Sequence, residues 1–137
     1  MTLYSLDSDI VNAVLKKNDV VTNRLQNRLA SNHEIVICPF VYYEVQRWLL
    51  VKDAQAQLEA LRSFVAPLRW LEFNRNMWNE AAGTWASATR AGSPHADPDL
   101  LIACHARHFQ AVIVTGNTKH FEVYQIEIEN WLVATPP

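Results

Sequence analysis

Apolar positions recur along this chain with two different periods. Four short stretches, at residues 2–6, 34–38, 68–71 and 111–114, are almost continuously apolar, as strands covered on both faces are. Between them the apolar residues return every three or four positions, the spacing of helices packed on one side. Asp7-Ser8-Asp9 is a helix-capping cluster before an amphipathic segment at 10–17, and Asn18-Asp19 breaks that segment. Val21, Leu25 and Leu29 then define a second helix over 20–30. Pro39 opens a long helix to about residue 51, because proline is tolerated in the first helical turn. Asp53 is placed to cap the next helix, which runs through Leu58, Leu61 and Phe64. Asn74 starts a helix to about residue 90, with Met77, Ala81 or Ala82, and Trp85 on one face. Asp97-Pro98-Asp99 caps a helix continuing to His108, Thr115-Gly116-Asn117-Thr118 reads as a turn, and residues 126–129 read as a short last strand.

Strands alternating with helices predict an α/β fold of three layers: a parallel twisted sheet of four to five strands flanked by helices. The 137 residues fit one domain, 1–137, and half of them are apolar, enough for a sizeable core. Only 3 glycines and 6 prolines argue against a long disordered linker. Cys38 and Cys104 lie in apolar segments without metal-ligand spacing and read as buried free thiols in a reducing compartment. No basic, apolar leader opens the sequence, and no apolar run approaches the ~20 residues that span a bilayer, so a cytoplasmic protein with no membrane partner is expected. The formal charge of -2 carries no global signature of nucleic-acid binding, although local patches matter more than the sum.

Three carboxylates stand out against this pattern. Asp7 closes the first apolar run, Glu44 sits inside Phe40-Val41-Tyr42-Tyr43-Glu44-Val45, and Asp99 precedes Leu100-Leu101-Ile102-Ala103-Cys104. A carboxylate among apolar neighbours is costly unless it is paired or bound to a cation. In open parallel sheets, sites form outside the carboxyl ends of the strands. Asp7 follows the first strand, Thr115 and Asn117 follow the fourth, and Glu44 and Asp99 lie near helix starts, so all are expected to face one crevice.

These segments resemble those of PIN-domain ribonucleases. Leu6-Asp7-Ser8-Asp9-Ile10 is similar to their opening motif, and Phe40-Val41-Tyr42-Tyr43-Glu44-Val45 to their glutamate-bearing segment. Asp97-Pro98-Asp99-Leu100-Leu101-Ile102-Ala103-Cys104-His105-Ala106 and Val112-Ile113-Val114-Thr115-Gly116-Asn117-Thr118-Lys119-His120-Phe121-Glu122 match two further motifs. Ile126-Glu127-Ile128-Glu129-Asn130-Trp131 looks like the tail of the VapC branch, the toxins of bacterial toxin–antitoxin pairs. The resemblance covers nearly the whole chain in order. It implies a PIN-like fold, a Mg²⁺ (or Mn²⁺) site and hydrolysis of RNA phosphodiesters, with tRNA or ribosomal RNA as target. It also implies a homodimer neutralised by a small VapB-like antitoxin. Carried onto this chain, Asp7 and Asp99 are metal ligands, and Glu44 is a ligand, through water, or orients the attacking water. Asn117 and His120 occupy the corner where relatives place a further acid, which makes one metal more secure than two. Thr115 is placed to donate a hydrogen bond to Asp7 or to a ligand water, and Asp9 and Asp97 are further candidates.

Each residue also has a plainer reading. Asp7, Asp9, Asp97 and Asp99 suit helix starts, where the dipole favours negative charge. Glu44 has no capping role; its alternative is an ion pair with Arg47 or exposure to solvent. His105 and His108 share a helical spacing but lack a third zinc ligand, which leaves them on a solvated face. Trp48, Trp70, Trp78 and Trp85 are expected in the core, Trp131 is expected to pack the C-terminal segment, and Val45, Trp48 and Leu49 form an apolar face open to dimerisation. Two other functions compete with the metal-dependent endoribonuclease. One is a catalytically weakened PIN-like module that binds RNA or protein. The other is a receiver-type regulatory domain, disfavoured because Cys38-Pro39 follows the second strand where a phosphorylatable Asp would be needed.

Overall fold

A five-stranded, wholly parallel sheet organises the computed structural model, which describes residues 1–134. The first strand, β1 (Leu3–Leu6), is followed by α1 (Ser8–Leu15) and α2 (Asp19–Ala30). Next come β2 (Glu34–Ile37), α3 (Pro39–Val51), α4 (Gln55–Val65) and β3 (Arg69–Trp70). The second half contains α5 (Arg75–Arg90), α6 (Asp97–Phe109), β4 (Val112–Val114), α7 (Thr118–Phe121), a 3-10 turn at Glu122–Tyr124, and β5 (Ile128–Glu129). The expected α/β architecture is present, and helix pairs form the first three crossovers.

The strand order is β3-β2-β1-β4-β5. The chain moves outward from β1 to β3, then α5 and α6 carry it back across to β4 on the other side of β1. Successive connections therefore diverge between β1 and β4, which opens a crevice at the carboxyl ends of those two strands. The register sets Leu6 beside Val114, so Asp7 and Thr115, the next residues on each strand, emerge side by side. The Asp7 amide still donates to the Val114 carbonyl at 2.9 Å, which fixes that corner to the sheet.

The three central strands supply the core: Leu6, Ile35, Val36, Ile37, Ile113 and Val114 are almost wholly buried. Burial on both faces explains why they read as unbroken apolar runs. The outer strands β3 and β5 are only two residues each and are partly open, shorter than the sequence pattern suggests. Among the described residues no helix is long and apolar enough to cross a membrane. Both cysteines are free and buried, as read from the sequence, and burial pushes the Cys38 thiol up to about 12, which makes it inert.

Trp131 is buried and ties down the end of the described chain. Its ring lies 5.4 Å from that of Tyr4, and its indole N–H donates to Glu129 Oε1 at 2.9 Å. Arg28 reaches the same carboxylate oxygen at 3.2 Å while its guanidinium lies over Tyr4. The Glu-Asn-Trp segment is thus a clamp on β1. The other tryptophans correct the expectation of core positions: Trp48, Trp70, Trp78 and Trp85 are 58%, 40%, 50% and 44% exposed.

Candidate metal centre

Asp7 is the best-held carboxylate of the molecule. It is the N-cap of α1, with extended backbone, and only 6% of its surface is exposed. Its Oδ1 accepts the Ser8 amide at 2.8 Å, and its Oδ2 accepts the Thr115 hydroxyl at 2.8 Å. Thr115 is wholly buried and its oxygen also accepts the Asn117 amide at 3.0 Å, so its single proton is directed at Asp7. The capping and the functional readings of Asp7 are therefore both realised: the bonds that start α1 also lock the carboxylate's orientation.

Asp9 adds a second acid on the same helix turn. Its Oδ2 accepts the Gly116 amide at 2.8 Å, while its Oδ1 is buried with no partner. Burial raises its pKa, and the Asp7 charge raises it further. Glu44 enters from α3, whose Val41, Val45 and Leu49 face the core. Burial lifts its pKa too, with Asp7 and Asp99 adding to the effect and Arg47 opposing it. The Arg47 pairing is real but loose, 3.9 Å from an arginine largely in solvent. Asp99, near the start of α6, is likewise raised by burial and by Asp7, and is opposed by His120. His120 Nδ1 stands 3.5 Å from Asp99 Oδ2.

The structure thus brings Asp7, Asp9, Glu44 and Asp99 into mutual repulsion with Asp7 at the hub, and gathers Thr115, Asn117 and His120 around them. Asp97 lies apart: it lines the groove between α5 and α6 with Trp78 and Trp85. Ala96, not Asp97 or Asp99, is the N-cap of α6, and no side-chain bond caps it. Asp99 is therefore not the cap, although it keeps a first-turn place where the helix dipole favours negative charge. Among the described residues, no three His, Cys, Asp or Glu side chains are drawn tightly enough to grip an ion directly. Mg²⁺ takes oxygen ligands, keeps several waters and needs only one or two direct carboxylates, so the donor set suits it without a tight cage. The partnerless Asp9 oxygen and the raised acids mark a place where positive charge would be stabilised. Mn²⁺ suits the same oxygen donors.

Two features escaped the sequence. Gly116 is one: a Cβ there would lie 2.7 Å from Asp9 Oδ2 and would also collide with the Leu132 side chain. The only hint was its place in the turn after β4. The second is His105, read as a solvated zinc candidate and in fact fully buried.

The family model of the PIN domain matches residues 4–126. Ribonuclease VapC2 of Rickettsia felis is 30% identical over 132 residues, covering 94% of this chain and 98% of that protein. Ribonuclease VapC1 of Haemophilus influenzae is 24% identical over the same length and with the same coverage. Among solved structures, VapBC2 from Rickettsia felis bound to a promoter DNA fragment superposes with a TM-score of 0.84 at 27% identity, covering 95% of this chain and 99% of that one. DNA-bound VapBC from Salmonella typhimurium gives 0.77 at 23% identity, with 96% and 99% covered, a likeness of fold.

Proposed function

The chain belongs to the PIN domain family, and from that premise we propose that it is a metal-dependent endoribonuclease toxin of the VapC kind. The observation that carries the reading is the set of acids, all coupled to a locked Asp7, at the divergence point between β1 and β4. Asp7 and Asp99 hold a Mg²⁺ or Mn²⁺ ion in this reading, and Asp9 supports them with its partnerless oxygen. The bound ion supplies positive charge against the reacting phosphodiester. Thr115 keeps Asp7 aimed, and Glu44 orients the attacking water and takes its proton. Its raised pKa suits that role, because a base closer to neutrality holds the proton better. The water oxygen forms a bond to phosphorus as the phosphorus–oxygen bond to the departing nucleotide breaks, and the departing oxygen takes a proton from solvent water.

The partners follow from the same premise. A VapB-like antitoxin neutralises the toxin, as the VapBC assemblies of the structural neighbours suggest. A homodimer is supported by Tyr43, Leu50 and Val51, which stand exposed on the outer side of α3. Val45 and Leu49 do not belong to that face; they are core residues. Structured RNA such as tRNA or ribosomal RNA is the proposed target, and the cytoplasm the proposed location.

Incubating the purified protein with total RNA, with and without Mg²⁺ or Mn²⁺, and mapping the ends tests this directly. Metal-dependent cuts that vanish in Asp7→Asn are expected. A second reading, a weakened module that binds without cutting, draws on His120, whose neutral or positive ring replaces a fourth acid beside Asp99. No cleavage of any RNA at either metal would select that second reading.

A further inference from the structure

Helix α3 presents three distinct stripes. Val41, Val45 and Leu49 enter the core, Tyr43, Arg47 and Leu50 face outward, and Glu44, Trp48 and Lys52 follow one another at four-residue intervals along a third line. That third line forms one wall of a cavity of about 280 Å³ between α1, α3 and α4. Glu44 and Ser8, neighbour of Asp7, stand at its catalytic end, and Lys16 and Lys52 line it as well.

We propose that this cavity is a nucleotide subsite beside the carboxylate cluster, holding one base and backbone phosphate of a single-stranded RNA next to the scissile bond. The subsite rests on the ribonuclease reading for its reaction and adds where the neighbouring nucleotide sits. Four observations converge on it. The volume is close to the ~300 Å³ at which small-ligand sites begin, about right for a single unit and too small for a peptide helix. Lys16 and Lys52 form no ion pair among the described residues, so both ammonium groups are available to phosphate oxygens. Trp48 is more than half exposed on the wall of this cavity, and exposed aromatic faces are the usual stacking platforms for bases. Asn12 and Gln57 line the same cavity with side-chain amides, which can both donate to and accept from a base edge. The subsite also offsets a weakness of the cluster. Acids alone repel an RNA backbone, and two lysines lining the cavity that Glu44 also lines restore attraction there.

The test uses a fluorescein-labelled single-stranded hexaribonucleotide, titrated with the full chain carrying Asp7→Asn in Mg²⁺ so that the probe stays intact. Adding Trp48→Ala should weaken binding on the order of tenfold, while Trp48→Phe, which keeps a stacking face, should remain within about threefold. RNA should quench tryptophan fluorescence in the parent and much less in the Trp48→Phe protein. Lys16→Ala with Lys52→Ala should lower the slope of log affinity against log salt by about 1.4, roughly 0.7 for each single-strand phosphate no longer neutralised. Because all three side chains are exposed, the thermal midpoint should not move, which separates loss of the subsite from loss of the fold. Unchanged affinity and salt slope in these variants would overturn the subsite even if Asp7-dependent cleavage is intact. So would an effect confined to binding of a protein partner. If the binding losses appear but the unsubstituted protein cuts no RNA, the subsite stands and the hydrolytic reading falls.

Discussion

Asp7 and His105 are both polar, both buried, and both set in apolar sequence, yet they sit in opposite circumstances. Asp7 has each oxygen satisfied by the chain, by the Ser8 amide and the Thr115 hydroxyl, and is surrounded by further acids. His105 donates through Nε2 to the Leu71 carbonyl at 2.7 Å, leaves Nδ1 without a partner, and is walled by Phe73 and Phe109 at 5.1 and 4.9 Å. One region concentrates like charge at the open end of the sheet; the other uses a neutral ring to pin the β3–α5 connection to α6. Burial of a polar group is therefore no mark of a site by itself. The company it keeps decides: repelling neighbours that only an external charge can relieve, or aromatic neighbours that need nothing further.

The largest expected effect tests that division at its first member. Asp7→Asn should reduce RNA cleavage by more than about 100-fold, since even the partners of metal ligands commonly account for 10- to 100-fold. Stability should change little, because relief of the charge that raises Asp9, Glu44 and Asp99 is offset by the acceptor lost to buried Thr115, an amide offering one oxygen where the carboxylate offers two. In thermal melts, Mg²⁺ should raise the midpoint of the unsubstituted protein and leave that of Asp7→Asn unmoved. A large loss of stability with cleavage retained would invert the assignment of the two regions.

His105→Ala should show the reverse. It empties a fully buried site and strands the Leu71 carbonyl, costing about 3 kcal/mol. For a chain of this size that lowers the midpoint by roughly 10 °C. Cleavage per folded molecule, measured well below the midpoint, should be unchanged within about twofold, as expected for a residue that touches no substrate. A selective loss of activity with an unaltered melt would place His105 in the functional region after all.

How far the sequence could distinguish these regions depends on the range of the cause. The order of elements as far as β4 and the convergence of Asp7, Glu44 and Asp99 were legible, because apolar runs and the divergence of a parallel sheet are set by pattern and connectivity; α7 and the 3-10 turn before β5 were not, for that segment read only as a turn. The fates of the tryptophans were not. On α5 the apolar residues outnumber the buried face: Met77 and Ala81 fill it, while Trp78 lies one residue off the stripe and Trp85 has drifted from it. Asp53 failed as a cap for a local reason: with φ at 51° it ends α3 in the left-handed region, and Ala54 becomes the N-cap of α4. His105 could not be told from a surface histidine, since its partner lies 34 residues away with the whole of α5 between them. The hollow beside Glu44 is equally non-local, for Lys16 and Lys52 meet only when α1 and α3 pack.

Titration offers a smaller test, in which the two regions should respond with opposite signs. Burial holds His105 below the ordinary histidine value of 6.5 in the folded chain. The unfolded chain therefore takes up that proton first. Stability present above about pH 6.5 is lost as pH falls through that value toward the folded-state pKa. Asp9, Glu44 and Asp99 are raised instead, so the folded state takes up their protons first and regains stability as pH falls toward and through their ordinary values of 3.8 to 4.5. Melts between pH 7.5 and 5 should show a fall that His105→Gln flattens. An equal fall in both proteins would show that the pinned histidine is not what titrates.

The smallest effect probes the hinge of the carboxylate corner. Gly116→Ala places a methyl 2.7 Å from Asp9 Oδ2, the atom that accepts the Gly116 amide, and against the end of the Leu132 side chain. Leu132 is partly exposed and free to swing aside. Asp9 is not, because moving it breaks the Gly116 hydrogen bond while its other oxygen already lacks a partner. The substitution should cost about 1 kcal/mol and reduce cleavage several-fold. Adding Leu132→Ala separates the two collisions. If the strain sits at Asp9, the double variant recovers little of either loss; if it sits at Leu132, stability and cleavage both return, and Asp9 is then a helix-turn acid with no part in holding the ion.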